Sequence, residues 1–217
     1  MNIDLRIRKD KAKEKMLTIA IGKGRGFEES LQLVSTTISA AYHAFAKGVL
    51  PVYVDQENNV RLVKVRNKDL PWLLSKEHID AAIGSSVWFE EFSDTSSTLL
   101  TELPLLKCRL SLIAAKQIPL SQINAICSKF QFLSDQYIKK NKLDASLLLM
   151  EGCHEVALSL GMSDAIIDII ETGNTIRKMN FIELECIQHI THGLWTRTNR
   201  VSDLESLITP KKELHML

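Results

Sequence analysis

Several features that would mark a membrane, secreted or nucleic-acid-binding protein are absent from this sequence. No apolar run approaches the roughly 20 residues that a membrane-spanning helix needs. The charged start of the chain, residues 1–15, lacks the apolar core of a signal peptide. Because 27 Lys and Arg residues nearly balance 26 Asp and Glu residues, the net charge of +1 gives no reason to expect nucleic-acid binding. We therefore expect a cytoplasmic protein that binds neither nucleic acid nor membrane, and any anion site must be local.

The cysteines form no paired motif. Cys108, Cys127, Cys153 and Cys186 are widely spaced without a CxxC pair, which argues against a zinc site and a disulfide framework. Cys153 and His154 are adjacent, which could suggest a thiolate nucleophile. Neighbours on a strand point to opposite faces, however, and this argues against nucleophilic catalysis. We expect most of these thiols to be small buried hydrophobic groups.

The pattern along the chain is that of an α/β protein. Strand-like and helix-like segments alternate, which favours mixed sheets with helices on both faces. Apolar residues at helical spacing predict one helix over residues 28–47, closed by Gly48. At 217 residues the chain can form one large domain or two small ones.

Residues 164–175 are the most informative stretch, because a β-branched apolar run there ends in a hydroxyl-rich turn. Residues 165–170 are too few and too β-branched for a stable helix, which predicts a buried parallel strand. The turn from Thr172 to Thr175 offers backbone amides, two hydroxyls and a glycine, the groups that form an anion-binding nest. Residues 176–180 are expected to begin a helix, whose free N–H groups would favour a phosphate.

Two interpretations of this turn remain open. It could be an ordinary connection from strand to helix, with Asn174 or Thr175 as the N-cap. It could instead bind an anion, and the carboxylates of Asp164, Asp168 and Glu171 could then hold sugar hydroxyls or Mg²⁺ beside a phosphate.

Two further groups of residues also have alternative interpretations. Residues 23–25, Lys-Gly-Arg, follow the strand predicted at 17–21 and place two cations on a loop that can approach a polyphosphate closely. The alternative for each cation is a solvated loop charge. The aromatic side chains of Trp88, Phe89 and Phe92 could pack a helix onto the neighbouring strand, or one of them could stack on adenine.

Residues 155–176 carry a resemblance to a known family. Their sequence, EVALSLGMSDAIIDIIETGNTI, is similar to the phosphoribosyl-diphosphate signature of ATP phosphoribosyltransferases, the first enzymes of histidine biosynthesis. Further segments resemble the same family in the same order, and the series extends from residue 17 to residue 190. These segments are residues 17–26, 66–71, 79–83, 108–110 and 128–130.

The chain also departs from the family pattern. Where the family carries Gly-Ile-Val-Gly-x-Asp, residues 82–87 read Ala-Ile-Gly-Ser-Ser-Val, so a glycine is displaced and Val87 replaces a carboxylate. The family's Gly-Ser-(Val/Met)-Glu is Gly-Cys-His-Glu at residues 152–155. The chain is therefore identified as a divergent member whose phosphoribosyl half is better preserved than its nucleotide half.

The resemblance implies two lobes of type II periplasmic-binding-protein-like architecture, with the catalytic cleft between them. Lobe I would comprise residues 16–103 and 184–217, and lobe II residues 104–183 with the phosphoribosyl-phosphate loop; residues 1–15 would be a charged N-terminal extension. The chain ends about where the family's short form ends, without a C-terminal regulatory domain. That form implies a homodimer that assembles with a histidyl-tRNA-synthetase-like regulatory subunit into a hetero-octamer.

The activity implied by the resemblance is displacement of pyrophosphate from C1 of 5-phosphoribosyl 1-diphosphate by N1 of ATP. Mg²⁺ would accompany the two substrates without direct protein ligands, and catalysis would rest on positioning and charge stabilisation. The implied catalytic residues are Asp168, Glu155 and Arg25. Those implied for phosphoribosyl diphosphate are Asp164, Asp168, Thr172, Gly173, Asn174 and Thr175. Those implied for nucleotide or polyphosphate are Lys23, Gly24, Arg25 and Arg66. For Asp164, a helix cap or a structural ion pair is the alternative.

Two hypotheses from other classes remain. The chain could be a non-catalytic or repurposed relative that binds a sugar phosphate or nucleotide and acts through a partner, which the altered Ser85 and Val87 would favour. It could also be an unrelated ligand-binding module of the same fold, such as the effector domain of a regulator. Such a chain should carry a DNA-binding helix-turn-helix or an export signal, and the sequence shows neither.

Overall fold

The structure, a computed structural model, describes residues 6–7, 16–24, 26–34, 39–202, 204 and 208–209. Arg25 and most of the predicted extension at residues 1–15 lie outside these ranges. Within them, no helix has the length and apolar character needed to cross a membrane.

The described part of the chain alternates between strands and short helices, as the sequence predicts. The strands are β1 (Arg6–Ile7), β2 (Leu17–Gly22), β3 (Val52–Asp55), β4 (Val60–Val65), β5 (Ala81–Ser85), β6 (Ser97–Ala114), β7 (Ala125–Ser128), β8 (Ser146–Leu149), β9 (Ala165–Ile170), β10 (Ile182–Arg197) and β11 (Ile208–Thr209). The α-helices are α1 (Phe27–Gln32), α2 (Ala40–Ala46), α3 (Leu70–Ser75), α4 (Ser86–Phe92), α5 (Gln131–Lys140), α6 (His154–Ser159) and α7 (Asn174–Lys178). Short 3-10 turns lie at Asn67–Asp69, Leu120–Gln122 and Thr198–Arg200.

The chain divides into two compact units. Unit 1 contains the described residues up to Leu106 and those from Thr191 onward, and unit 2 is Lys107–Ile190. The chain leaves unit 1 within β6 and returns to it within β10.

Unit 1 is built on a mixed sheet in the order β3-β4-β2-β5-β10. β2 is parallel to β4 and β5, whereas β3 and β10 run antiparallel to their neighbours. All six residues of β2 are buried, because helices cover a central strand on both faces. Phe45 of α2 and Leu74 of α3 belong to two separate apolar clusters against this sheet.

Unit 2 has a mixed sheet in the order β6-β9-β7-β8. β9 is parallel to β7 and antiparallel to β6, and β7 is parallel to β8. Ile113, Cys127 and Ile166 pack with Ala157 of α6 in the core of this unit. The strand predicted at residues 165–170 is confirmed, and it pairs in parallel with one of its two neighbours.

The single helix predicted over residues 28–47 is wrong. α1 ends at Gln32, and a second helix begins only after Ser39. Ser39 is the N-cap of α2, and its Oγ accepts a hydrogen bond from the amide of Tyr42 at 3.1 Å. The predicted end at Gly48 is confirmed, since this glycine adopts the left-handed conformation (φ +76°) that closes a helix.

Candidate active site

Unit 2 gathers polar groups at one edge of its sheet. Because β7 is parallel to both β8 and β9, the carboxyl ends of these three strands meet at the same edge. Lys129 follows β7, Met150 follows β8, and the turn 171–173 follows β9. α5, α6 and α7 all begin just beyond these strand ends. In open α/β sheets this is the edge at which ligands bind. We call it the carboxyl edge of unit 2.

The turn before α7 has the backbone that an anion-binding loop requires. Gly173 is the N-cap of α7 and is left-handed, with φ +69°. Because the N-cap is Gly173, the interpretation with Asn174 or Thr175 as the N-cap is wrong. Oγ1 of Thr172 accepts a hydrogen bond from the amide of Asn174 at 3.4 Å. Thr172 in the turn is exposed, as are Asn174 and Thr175, the first two residues of α7; the helix therefore begins two residues before the predicted start at residue 176. The turn therefore presents its hydroxyls to solvent next to the first N–H groups of a helix.

Arg177 adds a cation to this turn that the sequence analysis missed. Its Nη2 donates to Oδ1 of Asn174 at 2.6 Å. A Cβ added to Gly173 would lie 3.3 Å from Nη1, so the guanidinium lies against the turn. The sequence could have indicated this contact, because Asn174 and Arg177 are three residues apart and so lie on the same face of a helix.

Asp168 lies near the carboxyl end of β9 and has three partners. Its Oδ1 accepts hydrogen bonds from Nζ of Lys129 at 3.1 Å and from the amide of Ile169 at 2.8 Å. Its Oδ2 lies 2.9 Å from Nδ1 of His154. Asp168 therefore has little free hydrogen-bonding capacity, since a carboxylate has about four acceptor positions.

The charges in this network are set by its contacts. Burial alone would raise the pKa of Asp168, but the hydrogen bond with His154 and the charge of Lys129 hold that pKa below its ordinary value. Burial alone would lower the pKa of His154, but its bonds with Asp168 and with the carbonyl of Met150 raise it above its ordinary value. These contacts therefore favour the ionised carboxylate of Asp168 and the protonated imidazole of His154.

The acidic candidates Glu155 and Asp164 lie at opposite edges of unit 2. Glu155 is in the first turn of α6, next to His154, and so stands at the carboxyl edge. Asp164 precedes β9, and its Oδ2 accepts hydrogen bonds from the amides of Asn124 and Ala125 at 2.8 and 3.0 Å. The length of β9, roughly 20 Å, separates Asp164 from the turn. The structure does not bring Asp164 to the turn, and its carboxylate joins the amino ends of β7 and β9.

Arg109 and Glu183 form a second ion pair close to the end of β9. The strand register places Arg109 opposite Ile170. Its Nε and Nη2 each donate to a carboxylate oxygen of Glu183 at 2.5 Å, and Oγ of Ser111 donates to Oε1 at 2.8 Å. The hydrogen bond from Arg109 lowers the pKa of Glu183. Arg109 therefore has a carboxylate partner already in place.

The cationic candidates of unit 1 lie where its parallel strands end. The register of β2 with β4 places Lys23 and Arg66 side by side after the last paired residues. The amide of Lys23 donates to the carbonyl of Val65 at 2.6 Å, and both cationic side chains are exposed. Gly24 is also exposed and has φ +106°. The structure thus brings Lys23, Gly24 and Arg66 together, whereas Arg25 is outside the described residues.

Asn67 fixes this loop, a role that the sequence analysis did not assign. Its Nδ2 donates to the carbonyl of Lys23 at 2.9 Å. A Cβ at Gly22 would lie 2.2 Å from Oδ1 of Asn67, and one at Gly84 would lie 3.1 Å from it. Glycine at position 22 therefore permits the close approach of Asn67 to the loop.

The altered segment at residues 82–87 is part of the core of unit 1. Val87 is completely buried in α4. Phe89, in the same helix, is also buried and stacks on Trp195 with 4.1 Å between ring centroids. Phe89 therefore has the packing role, and the valine that replaces the family's carboxylate faces the protein interior.

The cysteines differ from expectation. All four are free, but only Cys127 is buried, while Cys153 and Cys186 are exposed. The prediction that most thiols are buried is wrong. Cys153 is not on a strand but is the left-handed N-cap of α6, with φ +58°, while the adjacent His154 is buried against Asp168. The exposed thiol and the buried imidazole therefore lie in different surroundings.

The fold places the chain in a known structural class. It matches the periplasmic aliphatic sulphonate binding protein SsuA from Escherichia coli with a TM-score of 0.54 at 12% identity, over 89% of this chain and 68% of that one. It matches the ATP phosphoribosyl transferase (HisG:HisZ) complex from Thermotoga maritima with a TM-score of 0.71 at 22% identity, over 88% and 92% of the chains. The architecture is therefore α/β, of the type II periplasmic-binding-protein-like kind.

Sequence comparison defines the family. The family model HisG, ATP phosphoribosyltransferase, matches residues 66–213. An ATP phosphoribosyltransferase from Shouchella clausii is 30% identical over 187 residues, covering 81% of this chain and 82% of the relative. One from Albidiferax ferrireducens is 28% identical over 186 residues, covering 82% and 87%. The chain belongs to the ATP phosphoribosyltransferase family, a family of pentosyltransferases.

Proposed function

We propose that this chain condenses ATP with 5-phosphoribosyl 1-diphosphate to give phosphoribosyl-ATP and pyrophosphate, the first step of histidine biosynthesis. The observation that carries the proposal is the family match over residues 66–213, which includes β9 and the turn before α7. No feature of the described residues favours the alternative of a non-catalytic relative.

The reaction is a displacement at C1 of the ribose. N1 of ATP supplies the electron pair for the new C–N bond, and the C1–O bond breaks so that pyrophosphate leaves with that bond's electrons. Positive charge develops on the ribose ring, and negative charge develops on the leaving group. Residues that hold the two substrates in line and stabilise these charges can supply most of the catalysis.

The turn before α7 is our candidate for the 5-phosphate. Thr172, Asn174 and Thr175 are exposed there, and left-handed Gly173 opens the backbone toward the ligand. Arg177 lies against the same turn and can add a charge-assisted hydrogen bond to a phosphate oxygen.

Asp168 and Glu155 are our candidates for the ribose. Both lie at the carboxyl edge of unit 2, where carboxylates can accept hydrogen bonds from ribose hydroxyls. The ionised state of Asp168 suits that role, because a carboxylate accepts from hydroxyl donors.

Lys23, Gly24 and Arg66 are our candidates for the polyphosphate of the nucleotide or of phosphoribosyl diphosphate. The two cations stand side by side at a strand end, and Gly24 permits close approach of the backbone. Arg25 remains a prediction from the resemblance as a catalytic and polyphosphate-binding residue.

Mg²⁺ is proposed to arrive with the substrates. The described residues contain no group of three His, Cys, Asp or Glu side chains that could hold a metal ion. Mg²⁺ commonly keeps several of its waters and binds substrate phosphates. We therefore propose that the phosphate oxygens of the two substrates bind the ion, and that the protein contacts it through water. When bound there it neutralises charge on the leaving group.

A regulatory partner is part of the proposal. The related structure from Thermotoga maritima is a HisG:HisZ complex. We propose that this chain forms a homodimer in the cytoplasm and assembles with a histidyl-tRNA-synthetase-like subunit into a hetero-octamer, as the short form of the family implies.

The activity test mixes the purified chain with ATP, phosphoribosyl diphosphate and Mg²⁺, with and without the candidate regulatory subunit. Chromatography should show phosphoribosyl-ATP in at least one condition. Absence of product in both would contradict the proposed activity.

A binding measurement tests the site separately. Thr172→Ala combined with Thr175→Ala should abolish phosphoribosyl diphosphate binding in calorimetry, because both exposed hydroxyls of the turn are removed. Ser121→Ala combined with Ser146→Ala is the matched control, since these exposed hydroxyls lie near the amino ends of β7 and β8. Equal binding by the two double variants would contradict the assignment of the turn.

A further inference from the structure

His154, Asp168 and Lys129 form a partly buried charge cluster, in which only His154 is fully buried. The register of β7 with β9 pairs Ser128 with Ile167, so Lys129 follows directly beside Asp168. His154 is the first residue of α6 and reaches Asp168 from the helix. The cluster therefore joins three elements at the carboxyl edge of unit 2.

The contacts of His154 determine its charge by geometry. Nδ1 lies 2.9 Å from Oδ2 of Asp168, and Nε2 lies 2.9 Å from the carbonyl oxygen of Met150. A carbonyl oxygen only accepts, and so does an ionised carboxylate, so both ring nitrogens must donate. Only the doubly protonated imidazolium satisfies both contacts beside an ionised Asp168.

Two cations therefore surround one carboxylate, and the cluster carries an excess of one positive charge. The two cations differ in freedom. The side chain of His154 is 1% exposed and bonded at both nitrogens, whereas that of Lys129 is 24% exposed and has a flexible stem. Lys129 can therefore move to contact a ligand, whereas His154 remains bonded to Asp168.

We propose that His154 is a positioning residue that keeps Asp168 paired, so that Lys129 can leave Asp168 and bind an anionic group of phosphoribosyl diphosphate. Departure of Lys129 also vacates one acceptor position on Oδ1 of Asp168, which a ribose hydroxyl can fill. This inference rests on the proposed function, and it explains how the site for phosphoribosyl diphosphate would gain a cation for an anionic group of that substrate.

Substitution of His154 should then act through Lys129. His154→Gln can still donate to the carbonyl of Met150, but it gives Asp168 neither a charge nor a close donor. Lys129 becomes the sole cation of Asp168 and is held there, so the KM for phosphoribosyl diphosphate should rise about tenfold, the loss of one charge-assisted contact. The kcat and the KM for ATP should change little, because the displacement itself does not involve His154.

Two comparisons separate this role from a purely structural one. His154→Asn places an amide N–H near the position of Nδ1, so it should recover part of the loss. Lys129→Met should raise the KM for phosphoribosyl diphosphate at least as much as His154→Gln. The KM of the double variant should be no higher than that of Lys129→Met alone, because both changes remove the same contact between Lys129 and the substrate.

The measurement is steady-state kinetics of the full chain, with the regulatory subunit if activity requires it, on variants whose thermal unfolding is cooperative. If His154→Gln does not fold, His154→Asn in combination with Lys129→Met provides the same test of non-additivity. Multiplied effects in the double variant, an unchanged KM for phosphoribosyl diphosphate in His154→Gln, or an equal loss for both substrates would overturn the inference.

The outcomes also distinguish this inference from the proposed function. If the unsubstituted protein turns over and His154→Gln shows none of the expected KM change, only the inference fails. If the unsubstituted protein neither forms phosphoribosyl-ATP nor binds phosphoribosyl diphosphate, the proposed function fails and the inference fails with it.

Discussion

Oγ of Ser30 in α1 lies 3.4 Å from Nε2 of His192 in β10, and both side chains are buried. The hydroxyl of Ser30 donates to the carbonyl of Gly26 at 2.5 Å, so the imidazole N–H must donate to Ser30. Burial lowers the pKa of His192 to about 4, while the charge of Glu29 acts weakly in the opposite direction. His192 is therefore neutral in the folded protein at neutral pH.

This neutrality predicts a loss of stability in acid. In the unfolded chain the pKa of a histidine is about 6.5. Between that pH and about 4 the unfolded state binds the extra proton, so the free energy of unfolding falls as pH falls, by up to about 3 kcal/mol for this residue. Urea unfolding at several pH values should show a smaller acid loss for His192→Gln than for the unsubstituted protein. An identical pH dependence for both proteins would contradict the prediction.

The His154–Asp168 pair should make the protein less stable as pH rises, whereas His192 makes it less stable as pH falls. The pKa of His154 is raised, so its contribution to stability is complete below about pH 6.5 and is lost as pH rises through the higher pKa of the folded state. The pKa of Asp168 is lowered, so its contribution is lost only as pH falls below the ordinary range of an aspartate. The difference in unfolding free energy between the unsubstituted protein and His154→Asn should therefore shrink from mildly acidic to alkaline pH. A difference that grows with pH would argue against the imidazolium.

Gly84 predicts a core substitution that the fold tolerates poorly. A Cβ at Gly84 would lie 2.4 Å from Cδ1 of Leu70, which is completely buried. Gly84→Ala should reduce the free energy of unfolding by about 1–3 kcal/mol, because the core must shift to admit a methyl group. Gly152→Ala is the matched control, since Gly152 is exposed and its added Cβ would meet no atom within 4 Å. Chemical denaturation that shows equal changes for the two variants would contradict the packing argument.

Substitution of Asp164 should lower the free energy of unfolding without changing the affinity for phosphoribosyl diphosphate. Asp164→Ala removes the acceptor of the two amides of Asn124 and Ala125 and should cost about 1–2 kcal/mol of unfolding free energy. Asp164→Asn retains a side-chain oxygen at this position and should cost less. Affinity for phosphoribosyl diphosphate, measured by calorimetry, should be the same in both variants as in the unsubstituted protein. Weaker binding by Asp164→Asn at unchanged stability would contradict this prediction and would indicate that Asp164 contributes to binding of phosphoribosyl diphosphate.

Strand β9 was predictable because its signal is local. Five apolar and mostly β-branched residues interrupted by one acid have few alternatives to a buried strand, and Gly173 marks where that strand turns into a helix. The end of α2 at Gly48 was equally local, since only the conformation of one glycine decides it.

The break between α1 and α2 was not predictable from periodicity. Leu31 and Tyr42 fit one helical repeat, but Ser39 starts a new helix, and both pieces pack into the same apolar cluster. Packing and capping outweighed the repeat, because helices as short as these gain most of their stability from tertiary contacts.

The sequence by itself determined the alternating α/β pattern, the hydroxyl-rich connection from β9 to α7 and the family to which these motifs belong. Each of these depends on residues that are close in the chain, and so on local conformation and spacing. Only the tertiary structure decided that Asp164 stands apart from the turn, that Asp168 is shared between His154 and Lys129, and that Val87 faces the core. The physical reason is that strand direction and register, which no local pattern encodes, set which side chains meet at a sheet edge and which are removed from water.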